Sequence, residues 1–482
     1  MKGATNLHEN LKKVIVSCCE DIINTYETQE YLPTHLQIML CGDPSFTFRD
    51  QLLYFKFRPG LRNKLVASFL IRPFFLWQRL TDRNLSRRLN LSSRSCSTFH
   101  TFFNDIFILE ALLTILTDMP DIVSDDLFNR IYRTSASILK NMIGNLEPYQ
   151  TDAGEVEIIN FFPPNDLHMD PASPIYRQIS SWKIDADTDC TYGNLVAFDY
   201  FLKLTETNPG GRIKEIPTEL VQRIKKAVDN PAFLDLITEF QALPESRHKA
   251  RLTINGLDPE NGGIMTWIGT RENDVDPTVN INVLTSVLRN RARWNLFERP
   301  DFLKSLQHTL NMLAGVVLTG MHEKDRTFLY YLPIVFCVKF GRFYHEYDLL
   351  NASEKKAFDP NKLIGKMRDE VEKTLLKYAI SGRLSKLDNV YIAGALLEIN
   401  YHGDALANLI AQIGPEPHTG KRDQLTHQYQ SYEFFKGKPP FLFIYGSEVT
   451  SAGFALRTMI RMAESIKAGT LSTEAVAACS EL

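Results

Sequence analysis

The chain has 482 residues, 44% apolar and 23% charged, with 30 Phe and 18 Tyr, which is enough apolar and aromatic material to fill a large core or line a deep cavity. A formal charge of −3 gives no case for nucleic acid, and no window of about 20 residues is apolar enough to span a bilayer. The seven cysteines are odd in number and contain no C-x-x-C pair, which argues against a zinc site or a disulfide framework and points to a reducing, cytoplasmic compartment.

The chain begins Met1-Lys2-Gly3 with no long apolar run behind it, so a signal peptide is not expected. Residues 7–26 carry Leu11, Val14, Ile15, Cys18, Ile22 and Ile23 on a 3.6-residue stripe, which predicts a helix. A basic stretch follows, with Arg58, Arg62, Lys64, Arg72, Arg79, Arg83, Arg87, Arg88 and Arg94 against the single acid Asp82. It reads first as a solvated helix face. The alternative is a surface that meets anionic lipid or a diphosphate, which keeps peripheral membrane contact open. Further helices are predicted over 102–116, 125–143, 194–204, 217–228, 231–240, 279–288, 300–317, 329–344, 360–378, 390–399, 405–413 and 447–466. Only 156–162 and 441–445 read as short extended pieces. The expected fold is all-α, an α/α toroid (barrel) of helical hairpins over 96–482, with residues 1–95 as an N-terminal helical subdomain carrying the basic stretch.

Three long loops interrupt this pattern, over 144–183, 242–276 and 414–440. The first two each end on an aspartate cluster, and loops of that length in a compact domain are often functional. One cluster is Asp185-Ala186-Asp187-Thr188-Asp189; the other is Asp274-Val275-Asp276-Pro277-Thr278. Both precede an apolar helical run, so one carboxylate in each suits a helix N-cap, and Pro277 suits the first helical position. Capping uses one side chain per helix. The remaining carboxylates crowd each other, which favours a retained proton or a bound divalent cation.

The two clusters, D-x-D-T and D-x-D-P-T, resemble the acidic motif of class II terpenoid cyclases. Asn261-Gly262-Gly263-Ile264-Met265-Thr266-Trp267 looks like the Gly-Gly-aromatic turns of the terpenoid cyclase and prenyltransferase toroid, and Gly446–Leu456 looks like its last inner helix. The resemblance covers roughly residues 100–466. It implies protonation of an isoprenoid alkene or epoxide by Asp187 or Asp276. Asp185 or Asp274 would tune the acid, and Asp189 would stand beside it. Thr191 or Thr278 would hydrogen-bond it, and Trp182, Trp267, Tyr330, Tyr331 and Phe454 would line the substrate cavity. Asp187 is favoured, because its cluster carries the extra Asp189 and nearby Thr191, whereas Pro277 gives Asp276 an ordinary capping role. The sequence departs from the family at the fourth motif position, which is Thr188 or Pro277 rather than Asp, and lacks the Q-x-x-x-G-x-W repeats of triterpene cyclases.

Such a cyclase needs no cofactor, or Mg²⁺. If the clusters face each other, Asp185, Asp189 and Asp274 would hold Mg²⁺ on a diphosphate, with Arg271 or Lys183 as counter-charge. The D-D-x-x-D motif of class I synthases is absent. Two other readings stand beside these: a glycoside-processing α/α barrel using paired carboxylates, and a non-catalytic helical scaffold that binds lipid or protein.

Overall fold

A computed structural model of the chain describes residues 2–40, 96–161, 163, 168, 186–250, 257–258, 260–269, 272–324, 327–328, 331, 333–380, 386–413, 441–446 and 448–479. The basic stretch, Trp182, Lys183, Asp185, Arg271, Tyr330 and the loop 414–440 lie outside the described residues. The protein is mostly helical, with fifteen α-helices and little strand among those residues.

Six helices form an inner set: α2 (Phe102–Asp118), α4 (Thr188–Thr207), α7 (Pro277–Arg289), α9 (Pro333–Asp348), α12 (Lys386–Glu398) and α14 (Glu448–Lys467). Each packs on the next in chain order, and α14 packs back on α2. Between and outside them run α1 (Lys2–Gln29), α3 (Asp125–Gly144), α5 (Thr218–Val228), α6 (Ala232–Glu239), α8 (Pro300–Leu318), α10 (Ala352–Phe358), α11 (Leu363–Ile380), α13 (Asp404–Ile413) and α15 (Thr473–Cys479). α1 packs on α14 and α3, so the N-terminal helix is part of this outer layer.

Residue pattern separates the two layers. In α2 and α7 nearly every side chain is buried, whereas α3 buries one stripe that includes Phe128, Ile131, Leu139 and Met142. A helix covered on all sides can be apolar all round; one facing water on one side must be amphipathic. Each fully buried Leu, Ile or Phe contributes about 1.5–3 kcal/mol relative to exposure. Polar tips inside the core find acceptors: the Trp294 indole N–H donates to Val228 O at 2.8 Å, and the Tyr192 hydroxyl donates to Phe233 O.

The helix expected over 194–204 begins earlier, at Thr188, because Asp187 supplies its cap. The one expected over 329–344 begins at Pro333, where the proline fixes the first turn, and this leaves Tyr331 in the preceding loop. Strand is more plentiful than expected. β1 (Pro33–Leu40) lies between β2 (Cys96–His100) and β5 (Phe441–Gly446), antiparallel to both. β3 (Glu147–Thr151) and β4 (Gly154–Ile158) form a hairpin inside the first long loop. Among the described residues no helix is long and apolar enough to cross a membrane.

Candidate functional site

The two aspartate clusters share one structural device. Residues 262–269 and 272–276 strap the N-termini of both α4 and α7. Thr188 N–H donates to Thr266 O at 2.8 Å, Ile268 N–H to Ala186 O at 2.7 Å, and Thr266 N–H to Asp274 O at 2.8 Å. Trp267 pairs with Asp187 in an isolated antiparallel bridge. Asn273 is buried and accepts from Trp267 N–H and Asp274 N–H at 2.9 Å each. Asn280 accepts from Ile264 N–H at 2.6 Å and donates to Ile264 O at 2.9 Å and Asp276 O at 2.8 Å. Two glycines of the strap, Gly262 and Gly263, are required by space. Gly262 has φ +80°, and a Cβ there would lie 2.9 Å from His308 Cβ; one on Gly263 would lie 2.6 Å from Val275 Cγ1.

Both Asp187 and Asp276 are N-caps. Asp187 Oδ1 accepts from Cys190 N–H at 2.6 Å, and Asp276 Oδ1 accepts from Thr278 N–H at 2.7 Å. Both are also buried, Asp276 completely. Asp187 is 3% exposed, and its Oδ2 has no hydrogen-bond partner. Burial, reinforced by the neighbouring Asp189 charge, pushes its carboxyl up to about 7; the amide N–H groups of Cys190 and Asp189 pull only partly the other way. A carboxyl at this position holds its proton near neutral pH.

Asp189 sits in the first turn of α4. Its carboxylate accepts from Asn282 Nδ2 on α7 at 2.7 Å and from the Tyr331 hydroxyl. Burial raises Asp189 above the ordinary aspartate range, with Tyr331, Lys339 and Asn282 opposing. The first cluster thus reaches the second helix through Asn282, nearly two turns beyond Asp276. Thr191 accepts from Ile159 N–H at 3.2 Å, and Thr188 tethers the strap by donating to Met265 O at 3.2 Å. Among the described residues no group of three or more His, Cys, Asp or Glu is gathered as metal ligands; Asp185 is outside them.

Beside Asp189 lies a connected group of rings. Tyr331 is 6.1 Å from Phe103, which is 4.8 Å from Phe107 and 5.7 Å from Phe161; Phe107 is 5.9 Å from Phe454, and Phe454 is 4.8 Å from Tyr391. Tyr331 and Phe454 of the expected lining are therefore here. Trp267 is half-buried in the strap.

The sequence reading missed a buried ionic network next to these rings. Glu110 on α2 binds Arg342 on α9 and Arg457 on α14; Arg457 also reaches Glu398 on α12 at 2.7 Å, and Arg461 lies 3.6 Å from Glu398. Burial works to raise Glu110, but the Arg342 and Arg457 guanidinium groups more than reverse this and hold it well below the usual carboxylate range. Lys339 on α9 is fully buried, with Nζ 3.0 Å from the Phe107 ring centroid. A signal for these groups did exist. Glu110 interrupts an otherwise apolar run, and Lys339 and Arg342 sit three apart in an aromatic helix, where charged residues are rarely buried without a reason. Comparison with family models, with curated proteins and with solved structures gave no match.

Proposed function

We propose that the chain is an α/α-toroid enzyme of class II terpenoid cyclase type, with Asp187 as the general acid. The reading is carried by one feature above all: Asp187 is a buried carboxyl with an unpartnered Oδ2, and burial beside Asp189 pushes its titration up to about 7. The cyclic packing of six inner helices supports the toroid. The adjoining rings support a lining able to stabilise positive charge through their negative faces. In the reaction, the proton on Asp187 Oδ2 passes to an alkene carbon, breaking the π bond and forming a C–H bond. The carboxylate left behind is held by the Cys190 and Asp189 N–H groups at the positive end of α4. The cation is then attacked by the next double bond, closing a ring, and the sequence ends when a proton leaves to solvent. Asp189, fixed by Asn282 and Tyr331, keeps the proton on Asp187 until substrate arrives. Asp276 serves as the cap of the second helix.

The test is incubation with geranylgeranyl diphosphate, farnesyl diphosphate and squalene, with and without Mg²⁺, followed by analysis for cyclic products. Asp187→Asn is expected to form none while retaining the helical circular dichroism of the wild type. Absence of product from all three substrates with the wild-type protein overturns the reading and leaves the helical scaffold in its place.

A further inference from the structure

Lys339 is fully buried, and its Nζ has no hydrogen-bond acceptor among the described residues. It lies against the same rings as Asp189. Tyr331, whose hydroxyl donates to Asp189, is 6.1 Å from Phe103, and Phe103 is 4.8 Å from Phe107. Lys339 Nζ is 3.0 Å from the Phe107 centroid, where the negative face of the ring favours an ammonium, and 5.5 Å from that of Phe454. α7 joins the helices that carry the two charges, packing on both α4 and α9.

The neighbouring charges settle its partner. Arg342 pairs with Glu110, Arg457 with Glu110 and Glu398, and Arg461 with Glu398 and Glu464, so three guanidinium groups stand against three carboxylates. Lys339 and Asp189 are left beside that network, opposite in sign, 0% and 6% exposed. A buried charge without a counter-charge is costly. The charged groups facing Lys339 are Arg342 on its own helix, Asp189 on α4, Glu110 on α2 and Arg457 on α14. Glu110 is held by both arginines, which leaves Asp189 as the carboxylate with charge to spare. Burial, reinforced by Arg342, pulls Lys339 well below the ordinary lysine range, and Asp189 is the first influence opposing this.

Lys339 bears in turn on the two aspartates. Burial raises both Asp187 and Asp189. Two buried carboxyls that repel each other hold one proton between them, and its place depends on what faces each. Asp187 has the Cys190 N–H on Oδ1, no partner on Oδ2 and the Asp189 charge beside it. Asp189 is faced by the donors Asn282 and Tyr331 and by the cations Lys339 and Arg342. Arg342 is already matched by Glu110, and the two neutral donors supply no counter-charge.

We propose that Lys339 is the counter-ion of Asp189 and the positioning residue that leaves the proton of the aspartate pair on Asp187. Lys339 acts through Asp189, across the rings and without a hydrogen bond, and its charge and that of Asp189 stand or fall together. As a role in proton transfer this rests on the cyclase reading; as a charge pair it stands on Lys339, Asp189 and the network around them.

The experiment uses the full chain without substrate, so its outcome does not depend on cyclase activity. Infrared difference spectra at pH 6 between wild type and Asp187→Asn are expected to show one buried protonated carboxyl, that of Asp187. Lys339→Met removes the charge at similar length. It is expected to add a second protonated carboxyl, which disappears when Asp189→Asn is made in the same background. In urea, Asp187→Asn isolates Asp189. A carboxyl raised in the folded chain loses its stabilising share as pH rises. The unfolding constant of Asp187→Asn/Lys339→Met is therefore expected to grow relative to that of Asp187→Asn by up to about tenfold per pH unit from about pH 5 to about pH 7. Should Lys339→Met alone fail to fold, Lys339→Met/Asp189→Asn, which removes both charges, is expected to fold, and that rescue demonstrates the coupling. No added carboxyl in Lys339→Met, a ratio of unfolding constants that stays flat over this range, or failure of both the single and the double variant to fold overturns the proposal. The expected spectra and pH dependence without cyclic product from any isoprenoid leave the charge pair standing and overturn the cyclase reading alone.

Discussion

The state of Asp187 makes a quantitative statement about stability. Its carboxyl rises from an ordinary 3.8 to about 7 in the folded chain. At 1.36 kcal/mol per tenfold change in proton affinity, this corresponds to about 4 kcal/mol between the protonated and ionised forms. The folded chain holds this proton more tightly than the unfolded chain. The group's stabilisation is therefore complete below pH 3.8 and is lost progressively as pH rises through about 7. Asn at this position keeps the Oδ1 acceptor for Cys190 N–H and cannot ionise. Stability of Asp187→Asn relative to wild type should grow with pH by roughly 1 kcal/mol per pH unit from about pH 4 to about pH 7, then level off. Removal of the like charge beside Asp189 acts in the same direction. Urea denaturation of both proteins at pH 5, 6, 7 and 8 measures the difference. A gap between variant and wild type that stays constant over this range refutes the protonated, buried state on which the acid role depends.

Four further outcomes are expected. Glu110→Gln removes the carboxylate shared by Arg342 and Arg457, which should cost about 3–5 kcal/mol at pH 7 by thermal unfolding. Because Glu110 is held below its ordinary 4.5, its contribution is present above that value and lost as pH falls below it, so the cost should shrink in acid; equal stability of variant and wild type at pH 7 counts against the network. Tyr331→Phe deprives the buried Asp189 carboxylate of a donor and should cost about 1.5–3 kcal/mol in the same assay. Gly262→Ala places a side chain at φ +80° and 2.9 Å from His308 Cβ, and should cost about 1–3 kcal/mol and loosen amide-exchange protection in the strap. Gly315→Ala in α8, where a Cβ meets nothing within 4 Å, should instead stabilise by about 0.5–1 kcal/mol.

The sequence determined most of the helices, because 3.6-residue periodicity and all-round apolarity are local records of how much of a helix faces water. It also determined that Asp187 and Asp276 stand at helix starts, since caps are set by the few residues around them. It showed the extended piece that becomes β5, but not β1 and β2, whose pairing joins segments far apart in the chain, or the short helices α10 and α15, too brief to show a period. It favoured Asp187 over Asp276 on the extra Asp189 and the nearby Thr191, but it did not supply the surroundings of either carboxyl. Asp187 and Asp276 are both buried and both cap a helix through Oδ1, and what separates them comes from elsewhere in the chain: Asn282 and Tyr331 drawn onto Asp189, the charged neighbour of Asp187. The ionic network of Glu110, Arg342, Arg457 and Glu398 was legible only as isolated charges in apolar helices, not as a network. Each of its members lies on a different helix, and only packing brought charges into contact that in sequence stand alone among apolar neighbours.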